Sequence, residues 1–298
     1  MKLIQVVISL VTLSVLGGIP LSVHAQSFSA SGAPSIAQTV AQTSASEFFN
    51  RGLEKYKRGD LPGAIGDYTE AIRLNPKDAD LYNNRGVALR RKGDLPGAIA
   101  DYTQAIQLKP DYARAYSNRG NAYTDLKNFR QAIGDYDKVI QLQPTANAYN
   151  SRGDARFKQG DYKNAIEDFS QAIKLEPKSA LAYYNRGLAR RRLKDNRGAI
   201  GDYTQAIQLD SKNADVYHSR GIARSTIGDD RGALTDYDQA IKLKADNADL
   251  YYNRAITQRK LGNTQAAIGD YQKAADLYQQ QGKITDSQEA LNQIKKLQ

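Results

Sequence analysis

The chain has 298 residues, with 42 Lys and Arg against 32 Asp and Glu, a net charge of +10. The absence of Cys excludes a disulfide framework, a thiol nucleophile and a thiolate metal site. The positive charges are scattered rather than gathered in blocks, so the balance favours acidic partners or anionic surfaces without marking a nucleic-acid arm.

Residues 1–25 read as a secretory leader. Lys2 opens it, Leu3–Leu16 is mostly apolar, and Gly17, Gly18 and Pro20 break any helix. Val23 and Ala25 are the small residues a signal peptidase reads, which sets the cut before Gln26. An uncleaved anchor and a buried helix are the alternatives, but Gln5, Ser9, Thr12 and Ser14 dilute the apolar run. The expected location is outside the cytoplasm, in a periplasm or equivalent lumen, with secretion a further option. Gln26–Ser44 is rich in Ser, Ala, Gln and Thr and is expected to be a disordered linker.

Beyond residue 44 one unit repeats. In Ala79–Tyr112, residues Tyr82, Gly86 and Leu89 make one helical stripe, and Gly93 and Asp94 form a turn. Pro96 sits in the next first turn. Leu95, Ala98, Ile99, Tyr102, Ala105 and Ile106 then form a second apolar face, which Pro110 ends. The Arg-Gly marker recurs at Arg51, Arg85, Arg119, Arg152, Arg186 and Arg220, with Arg254-Ala255 as a seventh copy. The spacing is 34 residues throughout, except for one step of 33 near Pro144–Asn147. A fixed period of this length signals a solenoid rather than two globular domains. The repeats run 45–78, 79–112, 113–145, 146–179, 180–213, 214–247 and 248–281. Asp60, Asp94, Asn128, Asp161, Asp195, Asp229 and Asn263 are expected to cap the second helices. After Gly282, Thr285 and Gln288 resemble a capping box, and Ala290, Leu291, Ile294 and Leu297 form one stripe. Residues 282–298 are therefore expected to be a helix that covers the open end.

These positions resemble the tetratricopeptide repeat over residues 45–281. The family's aromatic at position 4 is matched by Phe48, Tyr82, Tyr116, Tyr149, Tyr183, Tyr217 and Tyr251. Its small residue at position 8 is matched by the Gly of each marker pair. Its Ala at position 20 is matched from Ala64 to Ala267, and its aromatic at position 24 from Tyr68 to Tyr271. The resemblance implies an all-α, right-handed α-solenoid of seven helical hairpins, a protein- or peptide-binding role and no cofactor. One departure stands out. Position 7, usually apolar in the family, is Arg in all seven copies, and position 23 is Asp in all seven. Matched cation and acid suggest a bidentate pair between the two helices or between adjacent hairpins. An Arg ladder for anions is the alternative.

Enzymatic chemistry finds little footing. His24 lies in the leader, which leaves His218 alone, and no phosphate loop or dinucleotide fingerprint is present. The chain reads as a non-enzyme.

In the resembling family, the first helices line a concave groove. Position 6 there is Asn50, Asn84, Asn118, Ser151, Asn185, Ser219 and Asn253. An amide both donates and accepts, so this row suits a peptide backbone of any sequence. A merely solvated row is the alternative. Position 5 lacks the Lys of chaperone-binding relatives, so that clamp is not expected. Positions 12 and 13 supply Arg90, Arg91, Arg191, Arg192, Arg259 and Lys260, which favour an acidic ligand. Tyr184 and Tyr252, with Phe49, Tyr56 and Phe157, are candidate anchors. The expected function is a scaffold or assembly factor that holds an extended, acidic segment. A basic nucleic-acid-binding array is the second reading.

Overall fold

The computed structural model describes residues 36–298, with side chains from Ser44 onward. The expected leader at 1–25, its expected cleavage site and residues 26–35 of the expected linker lie outside the described residues. Helix α1 (Ile36–Lys57) begins well before the first repeat, so the linker assignment is corrected from residue 36 onward. The physical reason is that Ile36–Asn50 contains no Gly or Pro. Its Ala and Gln residues extend a helix already nucleated by the repeat.

Residues 41–298 form one compact unit. The remaining helices are α2 (Leu61–Leu74), α3 (Ala79–Lys92), α4 (Leu95–Leu108), α5 (Ala113–Asp125), α6 (Phe129–Leu142) and α7 (Ala146–Gln159). They continue as α8 (Tyr162–Leu175), α9 (Ala180–Arg192), α10 (Asn196–Leu209), α11 (Ala214–Thr226) and α12 (Asp230–Leu243). The last three are α13 (Ala248–Lys260), α14 (Thr264–Gln280) and α15 (Ile284–Lys295). No strand occurs among the described residues. Odd and even helices pair as hairpins, and each hairpin packs on the next, so the chain builds an α-solenoid closed by α15.

The small residues set how closely the helices approach. A Cβ on Gly86 would lie 2.7 Å from Cε1 of Tyr102, and each marker Gly meets the position-24 ring of its own repeat in this way. The rings of Tyr102, Tyr203 and Tyr271 are fully buried beside Ala98, Ala199 and Ala267. Ring against bare backbone is thus the unit of packing.

The turns divide by charge. Asp60, Asp94, Asp161, Asp195 and Asp229 each accept from the backbone N–H three residues on. Asn128 and Asn263 make no such bond, which corrects their expected capping role. Only the carboxylates gain from the positive end of the helix as well as from the hydrogen bond. The missing residue of repeat three falls in the connector 143–145, where Thr145 caps α7 through the N–H of Ala148. The expected capping box at Thr285 does not form, because α15 starts at Ile284 with Lys283 as its unassisted cap, which puts Thr285 inside the first turn. The apolar stripe does pack: Ala290 and Ile294 are buried, and Leu291 and Leu297 lie against the Ala255–Tyr271 cluster.

Candidate functional site: the seam and the concave face

Every position-7 Arg grips the position-23 Asp of its own repeat. In the third repeat, Arg119 Nε and Nη2 donate to Asp135 at 2.9 and 2.7 Å. The same bidentate geometry recurs at Arg51–Asp67, Arg85–Asp101, Arg186–Asp202, Arg220–Asp236 and Arg254–Asp270. Arg152 reaches Asp168 with both Nε and Nη2. A third contact crosses to the preceding repeat. Nη1 of Arg85, Arg119, Arg186 and Arg220 donates to Thr69, Thr103, Ser170 and Thr204, and that of Arg152 and Arg254 to Asp137 and Asp238. Each guanidinium also lies over its own repeat's position-4 ring, 5.6 Å from the Tyr116 centroid for Arg119. The position-7 arginines are therefore spent in a seam that stitches helix to helix and hairpin to hairpin. In four repeats a second cation joins the acid: Lys55, Arg156, Arg190 and Arg224.

The candidate ligand side chains lie on the first helices. Those helices also touch one another along the array, α3 with α5, α7 with α9, α9 with α11 and α11 with α13, which places them on the tighter, inner curve. Clefts of about 470, 340 and 380 Å³ follow one another along this face. Asn84 lines the first with Phe49 and Arg114. Asn118, Arg90 and Arg91 line the second with Tyr56. Asn185 and Arg90 line the third with Ser151 and Asp154. Tyr184 lines a smaller cleft of about 250 Å³ with Val216. Asn50 is exposed, and Arg191, Arg192, Asn253 and Tyr252 line none of these four clefts.

Several of these groups already have partners. Asn118 Nδ2 donates to Asn83 Oδ1, and Asn185 Nδ2 to Asn150 Oδ1. Asn253 pairs with His218, and Asn84 bonds back to the Asp80 carbonyl of its own helix. The position-6 amides thus bridge to position 5 of the preceding repeat wherever an acceptor stands there. Arg90 is paired with Asp125, and Arg91 lies over the Tyr56 ring and donates to the Tyr56 carbonyl. Tyr184 tilts against Tyr203 and Tyr252 against Tyr271 and Tyr278, so each is braced by its own repeat's core.

Comparison with known proteins settles the family. Sequence profiles described as TPR repeat and tetratricopeptide repeat match residues 52–93, 88–127, 153–194 and 226–262, then 113–145, 180–213 and 248–281. The chain belongs to the tetratricopeptide-repeat family. A tetratricopeptide repeat protein from Parabacteroides merdae shares its fold with a TM-score of 0.64 at 21% identity, covering 83% of this chain and 98% of the other. MamA matches at 28% identity and a TM-score of 0.52 over 55% of this chain and 96% of its own. YrrB, named as a TPR protein with an unusual peptide-binding site, matches at 23% identity and a TM-score of 0.53 over 60% of this chain and 93% of its own. As a tetratricopeptide protein the chain is placed among protein-interaction scaffolds, a family that is generally non-enzymatic. Among the described residues no three His, Cys, Asp or Glu side chains converge as a metal site.

One side chain of this tetratricopeptide face has its protonation equilibrium shifted by burial. Burial lowers the pKa of His218, against the opposing pull of Asp249 and Asp215 and with the help of Arg191. A neutral ring accepts from Asn253 at 2.9 Å through Nε2, and a protonated one cannot. Because the folded value lies below the unfolded one, stability from this contact is complete above the ordinary His value and falls as pH drops through it. Thermal melts between neutral pH and about 5.5 are expected to show this loss, and His218→Gln to remove that part of the slope.

Proposed function

We propose that this protein is a non-enzymatic scaffold that works outside the cytoplasm and holds an extended, acidic peptide segment against its concave face. The supporting observation is the row of clefts along the first helices, lined by amides and by guanidiniums that are only partly neutralised. The peptide-binding site named for YrrB, which shares the fold, fits the same reading. Export rests on the leader pattern at residues 1–25. Acids within the groove, Asp80, Asp125 and Asp154, interrupt the basic surface that a nucleic-acid backbone would track.

Asn84 is the cleanest amide to remove, since it bonds only within its own helix. Asn84→Ala is expected to weaken a Glu-rich peptide and its Gln counterpart alike, by about 0.5–1.5 kcal/mol. Arg192 is exposed, so Arg192→Ala should slow association of the Glu peptide and flatten its salt dependence while leaving the Gln peptide unchanged. Titrations of both variants against both peptides test this. Affinities that match wild type in every pairing would place the ligand on another surface.

A further inference from the structure

Position 12 is Arg in three repeats, and the three do not stand alike. Arg90, Arg191 and Arg259 each lie beside the buried ring of their own repeat, at Tyr102, Tyr203 and Tyr271. The Tyr102 and Tyr271 hydroxyls are buried without a hydrogen bond, and the buried Tyr203 hydroxyl has only the Arg191 guanidinium close to it. In two repeats the guanidinium is completed from the next hairpin. Arg90 Nε donates to Asp125 Oδ2 at 2.7 Å, and Arg259 Nη1 to Gln293 Oε1 at 3.1 Å. Arg191 has no such partner. The residue in register with Asp125 is Thr226, and its hydroxyl donates to the Ile222 carbonyl of its own helix. Arg191 forms no ion pair among the described residues: its Nε is buried without a well-formed hydrogen bond, and the guanidinium has only the Tyr203 hydroxyl close to it.

We infer that Arg191 is an open seat for a carboxylate of the bound partner, which would take the place that Asp125 holds beside Arg90. This rests on the peptide-binding reading of the groove and narrows it to one contact. A half-buried guanidinium with no counter-ion is matched best by a planar acceptor at its outer N–H groups, and a carboxylate has that shape. Exposed Arg192 adds positive potential next to the seat. The Tyr184 ring, 6.0 Å from that of Tyr203, supplies an apolar wall. Asp215 and Asp249, which act on His218, are the opposing charges in this part of the face. The carboxylate can come from an internal Asp or Glu or from a C-terminus, since both present the same two oxygens.

The test uses the full chain and the Nε–H signals of its arginines by NMR. Sodium acetate is the first probe, with sodium chloride at equal ionic strength as the control. The Arg191 signal, identified by its loss in Arg191→Lys, is expected to move saturably with acetate, while those of paired Arg90 and exposed Arg192 stay near their chloride positions. Thr226→Asp should move the Arg191 signal the same way with no acetate present and abolish its response; Thr226→Asn should do neither. Movement of Arg191 no larger than that of Arg192 overturns the seat.

Short acetylated peptides then separate the sources: a central Glu with an amidated end, a central Gln with an amidated end, and a central Gln with a free C-terminus. Thr226→Asp should weaken whichever carboxylate-bearing peptide uses the seat by about tenfold and leave the neutral peptide unchanged. If Asn84→Ala weakens all three and Thr226→Asp weakens none, the groove reading survives and the seat is wrong. If acetate fills the seat and no peptide binds, the seat stands and the peptide reading fails.

Discussion

Arg119→Ala is expected to lower stability by about 3–5 kcal/mol, because it leaves a carboxylate buried with no cation beside it. The Asp135 side chain is 7% exposed and the Arg119 side chain 17%. Where repeats one, four, five and six bring a second cation to the acid, repeat three has Tyr123, so Asp135 has one counter-ion. Burial already holds the Asp135 carboxyl above the ordinary Asp range, against the pull of Arg119. A folded value above the unfolded one means the native state binds that proton more tightly, so the ionised group costs stability at neutral pH. The deficit of Arg119→Ala is therefore expected to shrink as pH falls and Asp135 takes up its proton. Arg186→Ala is the internal control. Arg190 still holds Asp202 at 2.8 Å there, so the loss should be smaller, about 1–3 kcal/mol. Urea unfolding followed by circular dichroism at neutral and mildly acidic pH measures both. Equal losses in the two variants would mean that the second cation does not share the load.

Tyr102→Ala should cost a similar amount, about 3–5 kcal/mol, while Tyr102→Phe should be neutral or slightly stabilising. The ring is fully buried against Gly86, so truncation opens a cavity between two helices whose backbones cannot close on it. The hydroxyl is buried and makes no hydrogen bond, so removing it ends a desolvation cost. Repeat four carries Phe169 at this position, fully packed against Gly153. Tyr136→Phe is the contrast, since that hydroxyl donates to Asn121 Oδ1 at 2.7 Å, and it should lose about 0.5–1.5 kcal/mol. Melting temperatures of the three variants separate ring packing from hydroxyl bonding.

Much of this was legible in the sequence, because a repeat exposes the same position seven times over. Arg at position 7 and Asp at position 23 announced their pairing by matched recurrence. Whether the acid came from the same hairpin or its neighbour was not legible, since a period of 34 offers every Arg equivalent acids in adjacent units. The cross-repeat contact does carry a sequence signal: Thr69, Thr103, Asp137, Ser170, Thr204 and Asp238 all stand at position 25, and all can accept. The position-6 amides illustrate the opposite difficulty. Their row was visible, but Asn118, Asn185 and Asn253 find partners at Asn83, Asn150 and His218, one repeat back. Only stacked hairpins bring those positions together. The start of α1 is not legible in the sequence, because composition alone does not say whether an Ala- and Gln-rich segment is nucleated by the helix that follows it.

The proposed concave interface is tested most directly by photocrosslinking in the native cell. A benzophenone side chain at Ser151, in the third groove cleft, would be compared with one at Gln141 on the exposed face of α6. The account predicts partner adducts from Ser151 that an excess of Glu-rich peptide suppresses, and none from Gln141. Adducts from Gln141, or Ser151 adducts that the peptide leaves untouched, would contradict it.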